Sequence, residues 1–184
     1  MSQLLLGELI REAMMRFESI LRQREAAKST FVQMPGDLGS DLFLVTSGLL
    51  RSFHLVKSKD VTAHFAMENG IVGAIDSVVS GAPSRYGIEA LEDSEFLALD
   101  TQELEVFLAA HPENERLARQ ITLYLYADLV ERFEGMLFLS AQERYTHLLA
   151  RYPGITRRVA LGHIASYLGM SQETLSRVRS QRRF

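Results

Sequence analysis

Cysteine is absent from this 184-residue chain. That excludes disulfides, thiol switches and cysteine-ligated zinc or iron–sulfur centres, and it fits a reducing cytoplasm. No apolar run approaches the roughly 20 residues a membrane-spanning helix needs. The opening stretch, MSQLLLGELI, lacks a basic n-region and is interrupted by Glu8, so neither a signal peptide nor a membrane partner is expected. Internal repeats and low-complexity tracts are missing, as are a nucleophile elbow, a P-loop and an HExxH motif. The five histidines (His54, His64, His111, His147, His163) nowhere join a second ligand at metal-binding spacing on one face. No metal, haem or other cofactor is therefore expected. Glu92-Asp93-Ser94-Glu95 reads as a solvated turn between strands, so no catalytic carboxylate pair stands out and an enzyme is not expected. Apolar residues make up 47% of the chain, enough to fill a proper core.

What is present is concentrated at the C-terminal end. Leu161–Phe184 reads as two short helices meeting at a tight turn. Ile164, Ala165 and Leu168 form the inner face of the first helix. Gly169 supplies the positive φ that ends it, and Ser171 is a good N-cap for the second. Leu175 and Val178 turn the second helix back onto the first, which is helix-turn-helix spacing. Its outward residues, Ser171, Gln172, Glu173, Thr174, Ser176, Arg177 and Gln181, suit base edges and phosphates. A helical hairpin with a merely solvated face is the bland alternative.

Charge separates the two readings. From Ala141 onward, eight arginines oppose two glutamates, a net +6, so the whole-chain −3 leaves −9 on the preceding residues. A basic end attracts phosphates while an acidic body keeps duplex away from the rest. Arginine also favours bidentate contacts to phosphate and guanine.

The remaining chain divides by periodicity. Residues 3–25 carry apolar positions at helical spacing. From Ala27 to about Asp100, short β-type runs alternate with turn residues: Phe31–Val32, Asp41–Ser47, Leu49–Val56, Thr62–Ala66, Ile71–Val72, Arg85–Ala90 and Glu95–Leu99. These predict an antiparallel sandwich or barrel. Thr101–Ala110 follows as a short helix capped by Thr101. Pro112 then opens a long helix to about Leu137. On it, Thr122, Tyr126, Leu129, Phe133 and Met136 fall at four- and three-residue steps, the seam two helices use when they pair. Leu117, Ile121, Leu125 and Val130 supply a second apolar face for the β region. A helix apolar on two sides needs two partners, and a homodimer follows. Ser140-Ala-Gln-Glu143 is a capping box that starts another helix and marks a domain boundary and hinge.

This order of parts resembles the Crp/Fnr family of bacterial transcription regulators. Asp41-Leu-Phe-Leu-Val-Thr-Ser-Gly48 is similar to the family's β-roll hairpin. Ser171-Gln-Glu-Thr-Leu-Ser-Arg177 is similar to its recognition helix, with Glu173, Ser176 and Arg177 matching the E-x-x-S-R pattern of Fnr-type members. The resemblance implies an α+β fold: an N-terminal antiparallel β-roll of jelly-roll type with a long dimerisation helix (112–138) in residues 1–139, and a helix-turn-helix DNA-binding domain in 140–184. It implies double-stranded DNA, a second copy of the chain and RNA polymerase as partners. Arg177 would donate to guanine, Glu173 would accept from cytosine, and Ser176 would touch a thymine. The chemistry agrees, since a guanidinium fork fits O6/N7 and a carboxylate only accepts. An effector pocket would draw on Asp76, Ser77, Ser84, Arg85, Tyr86 and Tyr126, with the small molecule unnamed.

Two departures shape the expectation. Ala74 stands where cyclic-nucleotide-binding members carry a ribose-binding Glu, Ser84-Arg85 reverses their Arg-Ser order, and Leu129-Val130 replaces the adenine-reading Thr-Ser pair. A buried cyclic phosphate without its guanidinium would be uncompensated, so control by cyclic AMP is not expected. Second, Phe184 follows the recognition helix almost directly, so no β-hairpin wing is expected, and Arg179, Arg182 and Arg183 would replace part of its backbone contacts. The rival readings are a ligand-binding or protein-interaction module whose helix-turn-helix does not engage DNA, and a regulator that still responds to cyclic nucleotides.

Overall fold

Helix α1 (Gln3–Arg16) runs through a 3-10 turn into strand β1 (Leu21–Ala26) in the computed structural model, which describes residues 3–57 and 59–181. The helical pattern read through residue 25 stops short for a physical reason. Leu21–Ala26 pairs along its whole length with β8 (Ser94–Asp100), Leu21 opposite Leu99 and Ala26 opposite Ser94. A ladder to a distant strand overrides the helix preference of Leu-Arg-Gln-Arg-Glu-Ala.

Between these two strands lie β2 (Phe31–Gln33), β3 (Asp41–Ser47), β4 (Leu50–Val56), β5 (Lys59–Ala66), β6 (Ile71–Gly73), α2 (Ile75–Ser80) and β7 (Tyr86–Ala90). The strands form two antiparallel sheets, ordered β1-β8-β3-β6 and β2-β7-β4-β5. This is the β-roll that the family resemblance implied, in keeping with the antiparallel sandwich or barrel predicted from the turn spacing. Gly48 reverses the chain between β3 and β4 at φ 93°, and a Cβ there would lie 2.7 Å from the Asp93 carbonyl oxygen.

Strand alternation sorts the apolar residues into three layers. Phe43 and Val45 of β3, Phe96 and Ala98 of β8, and Leu50, Ala66, Ile88 and Ala90 of the second sheet fill the roll interior. Phe43 and Phe96 meet edge to face there at 5.4 Å. Leu44 points the other way, into a layer shared with Ile10, Ala13 and Phe17 of the N-terminal segment and Leu117 and Ile121 of the long helix. Leu49 and Phe65 leave the second sheet on its outer face, where the C-terminal helices cover them.

Helix α3 (Thr101–Ala110) is capped by Asp100 rather than Thr101: the Asp100 carboxylate accepts from the amides of Gln102 and Glu103. A 3-10 turn at Pro112–Asn114 precedes α4 (Glu115–Phe138). Leu117, Ile121 and Leu125 face the first layer as expected, whereas Val130 lies outside that cluster and is half-exposed beside Leu129. The Ser140–Glu143 capping box forms in full and starts α5 (Ala141–Arg151). Then come α6 (Ile155–Arg158), α7 (Leu161–Tyr167) and α8 (Gln172–Gln181).

The helices α5–α8 share one apolar core with the outer face of the second sheet. Tyr145, Leu148, Tyr152, Ile155, Val159, Ile164, Tyr167 and Leu175 gather around Leu49 and Phe65. The Tyr152 hydroxyl donates to the Phe65 carbonyl at 3.1 Å, and the Thr62 amide donates to Ser166 Oγ at 2.8 Å. Beneath α7 lies Arg51, only 2% exposed. Its guanidinium forks onto both oxygens of Asp60 at 2.6 Å and also bonds Glu89 and Thr62. Burial alone would lower its pKa, but these two carboxylates outweigh it and raise it.

Candidate nucleic-acid interface and effector loop

The turn between α7 and α8 is built as its residues suggest. Gly169 sits at φ 63°, its amide donates to the Ser166 carbonyl, and the Met170 amide reaches back to Ala165 at 3.0 Å. These bonds satisfy carbonyls that the end of α7 leaves open. Ser171 Oγ accepts from the Thr174 amide at 3.2 Å, capping α8. Helix α8 approaches α7 at Gly162, where a Cβ would lie 2.5 Å from Gln172 Nε2. Leu175, at 0% exposure, and Val178 anchor the inner side.

The outer side faces solvent. Ser171, Gln172, Glu173, Ser176 and Arg177 are exposed and Thr174 is half-buried. Side-chain bonding from Ser171 is the largest influence holding the Glu173 carboxyl below the usual range, so it stands ionised as an acceptor. Arg177 Nη2 lies 3.5 Å from Thr174 Oγ1, the far limit of a bond, and its other donors point to no protein acceptor among the described residues. The side chain of Gln181, together with Arg182 and Arg183, lies outside the described residues.

The basic C-terminal charge is less available than its count suggests. Arg144 donates to the Leu139 carbonyl, Arg151 pairs with Asp128 on α4, and Arg158 pairs with Glu68 and Glu92. Arg157, Arg177 and Arg179 remain exposed. The roles of Arg151 and Arg158 were not legible in the sequence, because their partners lie in other parts of the fold.

Along α4 the seam residues before Met136 turn away from the rest of the subunit. Tyr126, Leu129 and Phe133 are 64%, 58% and 61% exposed, with Thr122 and Met136 exposed beside them. Near its C-terminal end α4 also touches the helix-turn-helix, and the seam residue Met136 takes part in that contact. Arg132 lies over the Tyr167 ring at 4.5 Å, and the Met136 methyl sits against Gly169.

The effector loop behaves differently. Asp76, in the first turn of α2, accepts from Ser84 Oγ at 2.7 Å and from the Arg85 amide at 3.0 Å, with Arg85 Nε 3.5 Å away. Burial pushes the Asp76 carboxyl up, but the Arg85 amide and the Ser84 and Ser77 bonds together hold it below its ordinary value. Ser77 Oγ accepts from the Gly39 amide, and Ser84 Oγ from the Tyr86 amide. Five of the six anticipated pocket residues are thus gathered, bonded mainly to one another. Tyr126 points outward from α4 and makes no hydrogen bond to them among the described residues. Ala74 is fully buried, and side chains fill the roll interior behind it.

Comparison with known proteins agrees with this architecture. Residues 23–111 match the cyclic nucleotide-binding domain family. No curated protein sequence matches the chain. Among solved structures, a CooA variant from Carboxydothermus hydrogenoformans is similar with TM-score 0.68 and 20% identity, over 89% of this chain and 76% of that one. FixK2 from Bradyrhizobium japonicum gives TM-score 0.67 at 22% identity, over 88% and 84%. CLP from Xanthomonas campestris, described as a c-di-GMP-responsive global regulator, gives 0.71 at 19%, over 93% and 90%. Among the described residues no helix is long and apolar enough to cross a membrane, and no acidic or histidine cluster could hold a metal ion. Residues 23–111 are thus similar to a cyclic nucleotide-binding domain, and the chain has the fold of the Crp/Fnr regulators.

Proposed function

We propose that the protein is a homodimeric, cytoplasmic transcription regulator that reads a pseudo-palindromic DNA site through the major groove without control by cyclic AMP. In this reading residues 1–139 are the sensory roll with its dimerisation helix, and residues 140–184 carry the DNA-reading helix. One observation carries it. The inner side of α8 is anchored by Leu175 and Val178, while Glu173, Ser176 and Arg177 are presented together on the open side. That is a donor fork, an acceptor and a small hydroxyl, the set needed to read base edges. The exposed seam of α4 supports the dimer, since an apolar row this regular calls for a second helix. Two copies of α8 about 34 Å apart would enter successive major grooves. RNA polymerase is the further partner such a regulator engages.

Independence from cyclic AMP rests on the effector loop. Asp76 already occupies the Ser84 hydroxyl and the Arg85 amide, so a phosphate entering there meets a carboxylate instead of a free donor set. A small-molecule effector of another kind remains compatible with the fold.

Selection of bound sequences from random duplexes, followed by gel shifts against salt, tests the reading. A two-fold-symmetric consensus and a steep negative salt slope are expected. A flat slope with no selected sequence would point instead to a protein-interaction module. Micromolar binding of cyclic AMP or cyclic GMP by calorimetry would overturn the effector reading alone.

A further inference from the structure

Arg158, in the short α6 just ahead of the helix-turn-helix, meets three separate turns of the roll. Its Nη1 and Nη2 fork onto the two oxygens of Glu68, at 2.9 and 2.8 Å, in the β5–β6 turn. Its Nε donates to Glu92 at 2.8 Å, in the β7–β8 turn, and Nη2 contacts the same carboxylate. Nη2 also donates to the Gly48 carbonyl at 2.9 Å, in the β3–β4 turn. The circuit closes within the roll, because the Gly48 amide donates back to Glu68. Bonding to Glu68 and then Glu92 raises the Arg158 pKa, and the bond from Arg158 lowers that of Glu68.

Most of this geometry is redundant for mere adhesion. The shared apolar core around Phe65 already joins the helices to the sheet. Apolar contact, however, is non-directional and tolerates sliding. A planar guanidinium fixed on three turns does not. The pose it fixes leaves the outer side of α8 exposed, so the contact does not occlude the reading surface within the subunit.

We infer that Arg158 is a positioning residue: it sets the angle at which the roll presents the helix-turn-helix, and so the spacing of the two reading helices in a dimer. This rests on the DNA-binding reading above. Arg158 is withheld from phosphate by its carboxylate partners, so its effect on duplex binding passes through the roll.

The test compares wild type, Arg158→Gln and the roll-side double variant Glu68→Gln/Glu92→Gln. Each is titrated with a duplex carrying both selected half-sites and with one carrying a single half-site. Both variants should lose roughly tenfold or more on the two-site duplex, where rigid linkage multiplies affinity, and less than about twofold on the single site. The Thr62 amide, which donates to Ser166 across the same interface, should exchange with solvent faster in both variants. Equal loss on both duplexes in Arg158→Gln alone would make Arg158 a phosphate contact and overturn the inference. Tighter binding by the variants would overturn it too, by making the contact inhibitory. So would unchanged Thr62 exchange. If wild type binds no duplex, the DNA reading falls, and the Thr62 exchange alone still judges the positioning role.

Discussion

Two polar segments of similar composition, the effector loop and helix α8, end up in opposite states. In the loop, Asp76, Ser84 and Arg85 answer one another, and little donor or acceptor capacity is left over. On α8, Glu173, Ser176 and Arg177 lie on an open face, and Arg177 keeps most of its donors free. The difference teaches that residue type alone does not make a ligand site. A serine–arginine pair beside a carboxylate closes on itself, whereas the same chemistry spread over a capped helix stays open to solvent.

The largest expected effect breaks the support beneath the open side. Leu175→Ala removes a fully buried side chain from the core joining helices and sheet. It should destabilise the protein by roughly 2–5 kcal/mol, read as a shift in urea midpoint. A loss below about 1 kcal/mol would mean that α8 is weakly docked.

Next comes the open side itself. Arg177→Ala should cost about 1–3 kcal/mol in affinity for the selected site and relax the preference at one base pair, with stability unchanged. Equal loss on selected and random duplexes would reduce Arg177 to a phosphate contact.

The closed loop should give the converse result. Asp76→Asn replaces a charged acceptor with a weaker one and should lower stability by about 1–2 kcal/mol while leaving duplex affinity untouched. If the variant instead gains micromolar affinity for cyclic AMP, the carboxylate was the element keeping phosphate out.

A pH control lies away from both segments. Burial, with Arg132 and Arg151 nearby, lowers the His64 pKa to about 3 from an ordinary 6.5. The folded state therefore resists a proton that the unfolded chain accepts. Stability should be constant above about pH 6.5 and fall as pH drops from there towards 3. His64→Gln should flatten that part of the profile, measured by urea midpoints at each pH. An unchanged slope would assign it to carboxylates such as Glu68, whose own contribution is lost at lower pH.

Much of the fold could be read from local chemistry. β3 ran over Asp41–Ser47 as expected, because a short unbroken apolar run, Leu42–Val45, ends just ahead of Gly48, where the chain must reverse. The Ser140–Glu143 box and the Gly169 turn were also legible, since each is complete within four or five residues. What escaped notice was either short or distant. Helices α2 and α6 hold too few residues to display a period, and β1 reveals itself only through its pairing with β8. Of the site, the outward set on α8 was readable from spacing, but the closure of Asp76 on Ser84 and Arg85 was not. Nor was Arg158, whose acceptors lie 66, 90 and 110 positions back along the chain.

The sheet wall behind Tyr152 and Tyr167 has a practical consequence. The rings of Phe65, Tyr152 and Tyr167 pack as a trio, with Phe65 and Tyr167 centred 5.0 Å apart. A fragment severed at Ser140 would carry two of those rings and leave the third behind, baring an aromatic floor to water. Moving these helices onto another roll would therefore demand a graft of β4 and β5 as well, because they borrow part of their floor from the second sheet.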